Sequence, residues 1–163
     1  MRAMTRPLPL LAALIVSVGG LASCANTRIV NTDVDDTAAN RAVIRFCEDY
    51  RHAVEEKDIT RLLALASPHY QDDAGTVAGD DDIDYDGLKA YLTGKFTLTE
   101  SIRYEMRYRR VYPADATTIH VEYTYAASYK QPSGKGVEWR HTVADNRIVL
   151  ARDGESFKVL SGM

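Results

Sequence analysis

Apolar residues recur along this chain in two rhythms, and the change between them falls near residue 97. From Thr37 to Lys57 the positions Ala39, Val43, Phe46, Cys47, Tyr50, Ala53 and Val54 return every three or four residues, which is the spacing of one helical face. Asp58 stands where an N-cap would open a second, shorter helix through Ile59, Leu62, Leu63 and Leu65. Ser67-Pro68 ends that helix, since proline bars the residue before it from helical geometry. Pro68 to Ile83 reads as a loop rich in Asp and Gly, and a third helix is predicted from Asp86 to Gly94 with Leu88, Tyr91 and Leu92 inward.

Beyond residue 97 the period falls to two. Ile102, Tyr104, Met106 and Tyr108 alternate with Arg103, Glu105, Arg107 and Arg109, a strand with one buried and one wet face. After a turn at Pro113-Ala114-Asp115, Thr117 to Tyr129 sets Ile119, Val121, Tyr123, Tyr125 and Ala127 against His120, Glu122, Thr124 and Ser128. Gln131 to Gly136 turns the chain into a third strand, Val137 to Ala151, with a bulge expected near Asp145-Asn146. Arg152-Asp153-Gly154 closes a tight hairpin onto Phe157, Val159 and Leu160. Helices first and antiparallel strands afterwards predict an α+β fold, with three N-terminal helices packed on one face of a curved antiparallel sheet of about four strands.

The start of the chain follows neither rhythm. Arg2 and Arg6 precede an uncharged, mostly apolar run from Leu10 to Ala22, the layout of an export signal. Thirteen helical residues rise only about 20 Å against a hydrocarbon core of roughly 30 Å, so cleavage is expected rather than a permanent span. The junction Leu21-Ala22-Ser23-Cys24 resembles the lipobox of bacterial lipoproteins. That resemblance implies a diacylglyceryl thioether on Cys24, removal of residues 1–23 and acylation of the new amino terminus. Ala25, where Asp would stand for inner-membrane retention, implies by the same analogy an outer-membrane address. Residues 24–36, with Asn, Thr and Asp and no sustained period, read as the lipidated cysteine and a tether, and residues 37–163 as one domain. With Cys24 consumed, Cys47 is the only other thiol and no internal disulfide is expected.

Charge narrows the class of partner. The 163 residues carry a formal net charge of -3, and after residue 23 there are 18 Lys and Arg against 23 Asp and Glu. A nucleic acid gains little from such a surface and is not an expected partner.

Two stretches carry a second resemblance. Phe46 to Tyr70 joins an aromatic helix, an acidic turn at Asp58 and a Leu-rich helix ending in Ser67-Pro68-His69-Tyr70; Asn146 to Gly162 forms the closing hairpin. Together they are similar to nuclear transport factor 2-like and SnoaL-like domains, over roughly residues 38–163. The resemblance implies a cystatin-like cone with a cavity between sheet and helices, and frequent homodimers. It fixes no activity, because the fold hosts enzymes, binding proteins and scaffolds.

Several constellations could carry chemistry. Asp82, Asp84, Asp86 and Gly87 match the first half of a calcium loop, but the twelfth position is Thr93 where a bidentate Glu is needed. A solvated acidic loop, its last Asp capping a helix that begins at Gly87, is the plainer account. The 4 histidines are scattered without Cys partners or a His-x-x-x-His pair, so no metal site is expected. His52 falls opposite the buried helix face; His120 and Glu122 share the polar strand face; His141 shares a face with Trp139 and Val143. No phosphate loop, dinucleotide fingerprint or nucleophile elbow occurs, and no cofactor is expected. Candidate cavity-lining residues are Tyr50, Tyr70, Tyr104, Tyr108, Tyr123, Tyr125 and Trp139, since a phenol combines an apolar body with one polar tip. Asp72 or Asp73 beside Tyr70 is the candidate catalytic carboxylate. The resulting expectation is a membrane-anchored envelope module that binds a small apolar or amphipathic ligand, or a protein partner, without catalysis. Its rivals are a SnoaL-like proton-transfer enzyme (isomerase, dehydratase or epoxide hydrolase) and a dimerisation domain with a filled cavity.

Overall fold

The computed structural model describes residues 27–73, 82–134 and 136–163. Helix α1 (Ala38–Glu55) begins where Thr37 accepts the Asn40 amide, and its repeating face buries Val43, Phe46, Cys47, Tyr50 and Ala53. Helix α2 (Ile59–Leu65) is capped by Asp58, whose carboxylate accepts the Arg61 amide at 2.9 Å. A two-residue ribbon follows, β1 (Gln71–Asp72) antiparallel to β2 (Ile83–Asp84), inside the stretch expected to be loop. Helix α3 (Tyr85–Thr97) runs three residues past Gly94, because a lone glycine weakens a helix by about 1 kcal/mol without ending it and Phe96 packs on the core. Its cap is Asp84, accepting the Gly87 amide at 2.8 Å, and not Asp86.

The sheet is a four-stranded antiparallel meander: β3 (Ser101–Pro113), β4 (Thr118–Ser133), β5 (Gly136–Asp153) and β6 (Ser156–Ser161). Three helices on a four-stranded antiparallel sheet confirm the predicted α+β architecture. The β4–β5 register is unbroken at Asp145 and Asn146, where a bulge was expected. The two polar residues simply face opposite ways: Asp145 accepts the Thr124 hydroxyl at 2.6 Å, and Asn146 donates inward to Tyr123. The real irregularities lie between Tyr108 and Arg110 and between Val149 and Leu150.

The core lies between the helices and the inner sheet face, with Leu62, Leu88, Val121, Leu150 and Val159 fully buried, each contributing about 1.5–3 kcal/mol. Arg51 clasps α1 to the sheet, donating to Glu48 at 2.8 Å, to Glu55 at 2.7 Å and to the Tyr104 carbonyl at 3.3 Å. Glu55 in turn accepts the Tyr104 amide at 2.9 Å. Cys47 is free and wholly buried, and desolvation, then the Glu48 charge, hold its thiol protonated and inert.

From Thr27 onward the expected tether is not a loose strand. The Ile29 amide donates to the Val34 carbonyl at 2.9 Å, the backbones of Arg28 and Asp35 pair antiparallel, the Asp33 amide donates to the Tyr108 carbonyl at the β3 irregularity, and Val34 is buried. Two aliphatics five residues apart seat this strap without leaving any period in the sequence.

One turn gives a pH signature. Asp115 Oδ1 accepts the Thr117 amide at 2.7 Å, the Thr117 hydroxyl at 2.9 Å and the Thr118 amide at 2.8 Å. These bonds, the Thr117 amide first, lower its carboxyl to about 2. The folded value lies below the unfolded one of about 3.9, so the turn's contribution is complete above the unfolded value and fades as pH falls through about 2. NMR titration of Asp115 should show that low midpoint, and Asp115→Ala should lower stability at neutral pH while leaving it unchanged in strong acid.

Candidate functional site

Five tyrosines approach one another on the inner face. Helix α1 supplies Tyr50, β3 supplies Tyr104 and Tyr108, and β4 supplies Tyr123 and Tyr125; all but Tyr125 are buried. Tyr50 meets Tyr104 edge-on at 6.3 Å, Tyr104 stacks on Tyr125 at 5.6 Å, and Tyr125 lies 6.4 Å from Tyr123. The hydroxyls of Tyr50 and Tyr123 approach that of Tyr104, and Asn146 Nδ2 donates to the Tyr123 hydroxyl at 3.1 Å. Burial, the first cause at each, raises the Tyr50, Tyr104 and Tyr123 phenols above their ordinary value, so they stay neutral and serve as hydrogen-bonding groups. Tyr108 is a clasp instead: its hydroxyl donates to Glu48 at 2.7 Å and ties β3 to α1.

Two cavities open beside this cluster, and Tyr91 of α3 lines both. The first, about 310 Å³, is walled by Val54, Phe96, Ile102, Tyr104, Ala127 and Tyr129, with Lys95 and Gln131 also lining it. The second, about 350 Å³, is more polar and holds Asp72, Asp73, Asn146, Arg147 and Gly162. There the Tyr70 hydroxyl donates to Asp72 Oδ2 at 3.0 Å, and the Gly162 amide donates to the same oxygen at 2.7 Å. Tyr70 is thus a buried partner of Asp72 rather than part of the aromatic cluster, and burial, then the Asp72 charge, raise its phenol.

Trp139 does not join the cavity. Counting back from buried Ile148 puts position 139 on the outer sheet face, opposite Lys130, where the ring is 52% exposed beneath the Arg103 guanidinium at 5.5 Å. Val143 and His141 share that face; His141 contacts the Ser128 hydroxyl at 3.0 Å, and both are exposed. His120 and Glu122 are also outside with Tyr112 between them, its ring against His120 and its hydroxyl donating to Glu122 at 2.8 Å. His52 is exposed. Cys24 lies outside the described residues. Of the acidic run, Asp84 serves as the α3 cap, and among the described residues no group of three His, Cys, Asp or Glu converges to hold a metal ion.

Lys95, Phe96, Asn146, Arg147 and Gly162 line the cavities and escaped the sequence reading. Asn146 carried a usable signal: it is a polar residue at an inward register position beside an apolar run. The others depend on how far α3 extends and where β6 crosses β5, which no local pattern records.

No protein-family model and no curated protein matches the sequence. Solved structures do match its shape. The fold is similar to that of solved structures, one of them named as belonging to the NTF2-like family. Kfla4162 of Kribbella flavida superposes with a TM-score of 0.64 at 15% identity, over 76% of this chain and 86% of its own. A "putative dehydratase from the NTF2-like family" of Streptomyces avermitilis gives 0.61 at 14% identity, over 76% of this chain and 92% of its own. A "putative scytalone dehydratase" of Novosphingobium aromaticivorans gives 0.61 at 15% identity, over 76% and 80%.

Proposed function

We propose that this protein is an envelope lipoprotein, anchored through Cys24, whose cone binds a small amphipathic ligand in the cavity between α3 and the inner face of β3 and β4. The observation that carries the binding reading is the wall of that cavity: Val54, Phe96, Ile102 and Ala127 offer an apolar slot, Tyr104 and Tyr129 offer phenols, and Lys95 offers a cation. Apolar walls with a few placed polar groups suit a flat ring or short chain bearing an acidic or hydroxyl group. Export and anchoring rest on Leu10 to Cys24 of the sequence; among the described residues no helix is long and apolar enough to cross a membrane. The apolar residues exposed on the outer face, Val137, Trp139 and Val143, support pairing of two copies, which sedimentation of the purified protein would measure.

A second reading, a proton-transfer enzyme of the dehydratase kind, is favoured by the Tyr70–Asp72 pair at the edge of the polar cavity and by two structural neighbours that are named as dehydratases. One titration separates the two. An anilinonaphthalene sulfonate, amphipathic and anionic, should bind the wild type; Ala127→Trp should abolish binding by filling the slot, while Asp72→Asn should leave it unchanged. Equal affinity for Ala127→Trp and wild type would remove this cavity as the binding site.

A further inference from the structure

We propose that the surface formed by the strap around Thr27 and the neighbouring β3 arginines is a membrane-contact face, seated on the anionic headgroups of the bilayer that holds the anchor. This rests on lipidation of Cys24. Only three peptide steps separate Cys24 from Thr27, and a fully extended chain covers about 10 Å in that distance. A folded body of this length is roughly 35 Å across. From Thr27 the chain is pinned: the Asp36 amide donates to the Thr27 carbonyl at 2.7 Å, and the Asp33 amide to the Tyr108 carbonyl at 3.0 Å. The leash is therefore far shorter than the body, and whatever surrounds Thr27 must lie against the bilayer.

What surrounds it fits that place. Three guanidinium groups share one carboxylate: Asp33 meets Arg109 at 3.0 Å, Arg107 at 3.3 Å and Arg28 at 4.0 Å. Among the described ion pairs no other acid serves three cations. The Arg109 and Arg107 hydrogen bonds hold the Asp33 carboxyl below its ordinary value, so the cluster keeps one negative charge against three positive ones. With Arg41, which pairs with Asp36, with Asp35, and with Asp145, which accepts the same Thr124 hydroxyl that Arg109 donates to, the lobe holds four arginines and four aspartates. The remaining chain after residue 23 holds 14 Lys and Arg against 19 Asp and Glu, so an anionic surface repels the rest of the molecule more than this part. Val30 stands at the tip of the strap turn, 82% exposed, where an apolar side chain can enter the headgroup layer.

The test uses the full-length, natively processed protein in vesicles of phosphatidylcholine with or without phosphatidylglycerol. Val30→Cys is labelled with an environment-sensitive nitrobenzoxadiazole, Cys47 being buried; Leu98→Cys, 63% exposed at the far end of α3, is the control. Intact mass reports the lipid on Cys24. The expected result is a several-fold rise in emission at position 30 with phosphatidylglycerol, none at position 98, and a loss of most of the rise in Arg107→Glu. Lipidated protein with an unchanged signal at position 30 overturns the membrane face alone. A signal untouched by Arg107→Glu overturns the role of anionic lipid. An unmodified Cys24 overturns the anchor and this inference with it.

Discussion

Tyr123→Ala is expected to destabilise the protein by about 3–5 kcal/mol, the range for removing a large aromatic from a packed core. Tyr123 is 1% exposed, its ring contacts Tyr125, and its hydroxyl accepts from Asn146, so truncation empties the centre of the inner face and removes that hydrogen bond. Trp139→Ala removes a larger side chain and should cost about 1 kcal/mol or less. At 52% exposure it forfeits mainly the contact with Arg103, and exposed cation–π pairs are worth about 0.5–1 kcal/mol. Urea unfolding followed by circular dichroism measures both. Comparable losses for the two variants would mean that the strand faces are assigned wrongly.

That pair of residues shows what the sequence made legible. Period two alone placed Tyr104, Tyr123 and Tyr125 on one face, because β3 and β4 keep their alternation through the region where the helices cover them. Trp139 sits on a strand whose two faces are both exposed near the β4–β5 turn, so there is no burial contrast for a pattern to report. Caps were legible where the acid stands immediately before an apolar run, as at Asp58. Among the crowded aspartates of residues 80–86 any of several could cap, and the choice of Asp84 is made by the β1–β2 ribbon that precedes α3. The strap was illegible for a different reason. The strap is held where the Asp33 amide meets the Tyr108 carbonyl at the β3 irregularity, a partner more than seventy residues away.

The same dependence on distant partners makes Gly162 the other sensitive position. Its φ of 91° lies where side chains are strained, and an added Cβ would run into the Arg147 carbonyl of β5. Gly162→Ala must therefore lift this segment off β5. Three bonds go with it: the Gly162 amide to Asp72, the Met163 amide to the Tyr70 hydroxyl, and Asn146 Nδ2 to the Gly162 carbonyl. Backbone strain of about 1–3 kcal/mol, or escape from it at the cost of a charge-assisted hydrogen bond worth about 1.5–3 kcal/mol, sets the expected loss near 1–3 kcal/mol. Calorimetry would read that loss, and hydrogen exchange at the Gly162 and Met163 amides would show whether the segment has moved. Unchanged protection there, with wild-type stability, would mean that the segment keeps its Asp72 bond and takes up the added Cβ without moving, so that the close approach of Gly162 to the Arg147 carbonyl does not constrain this position.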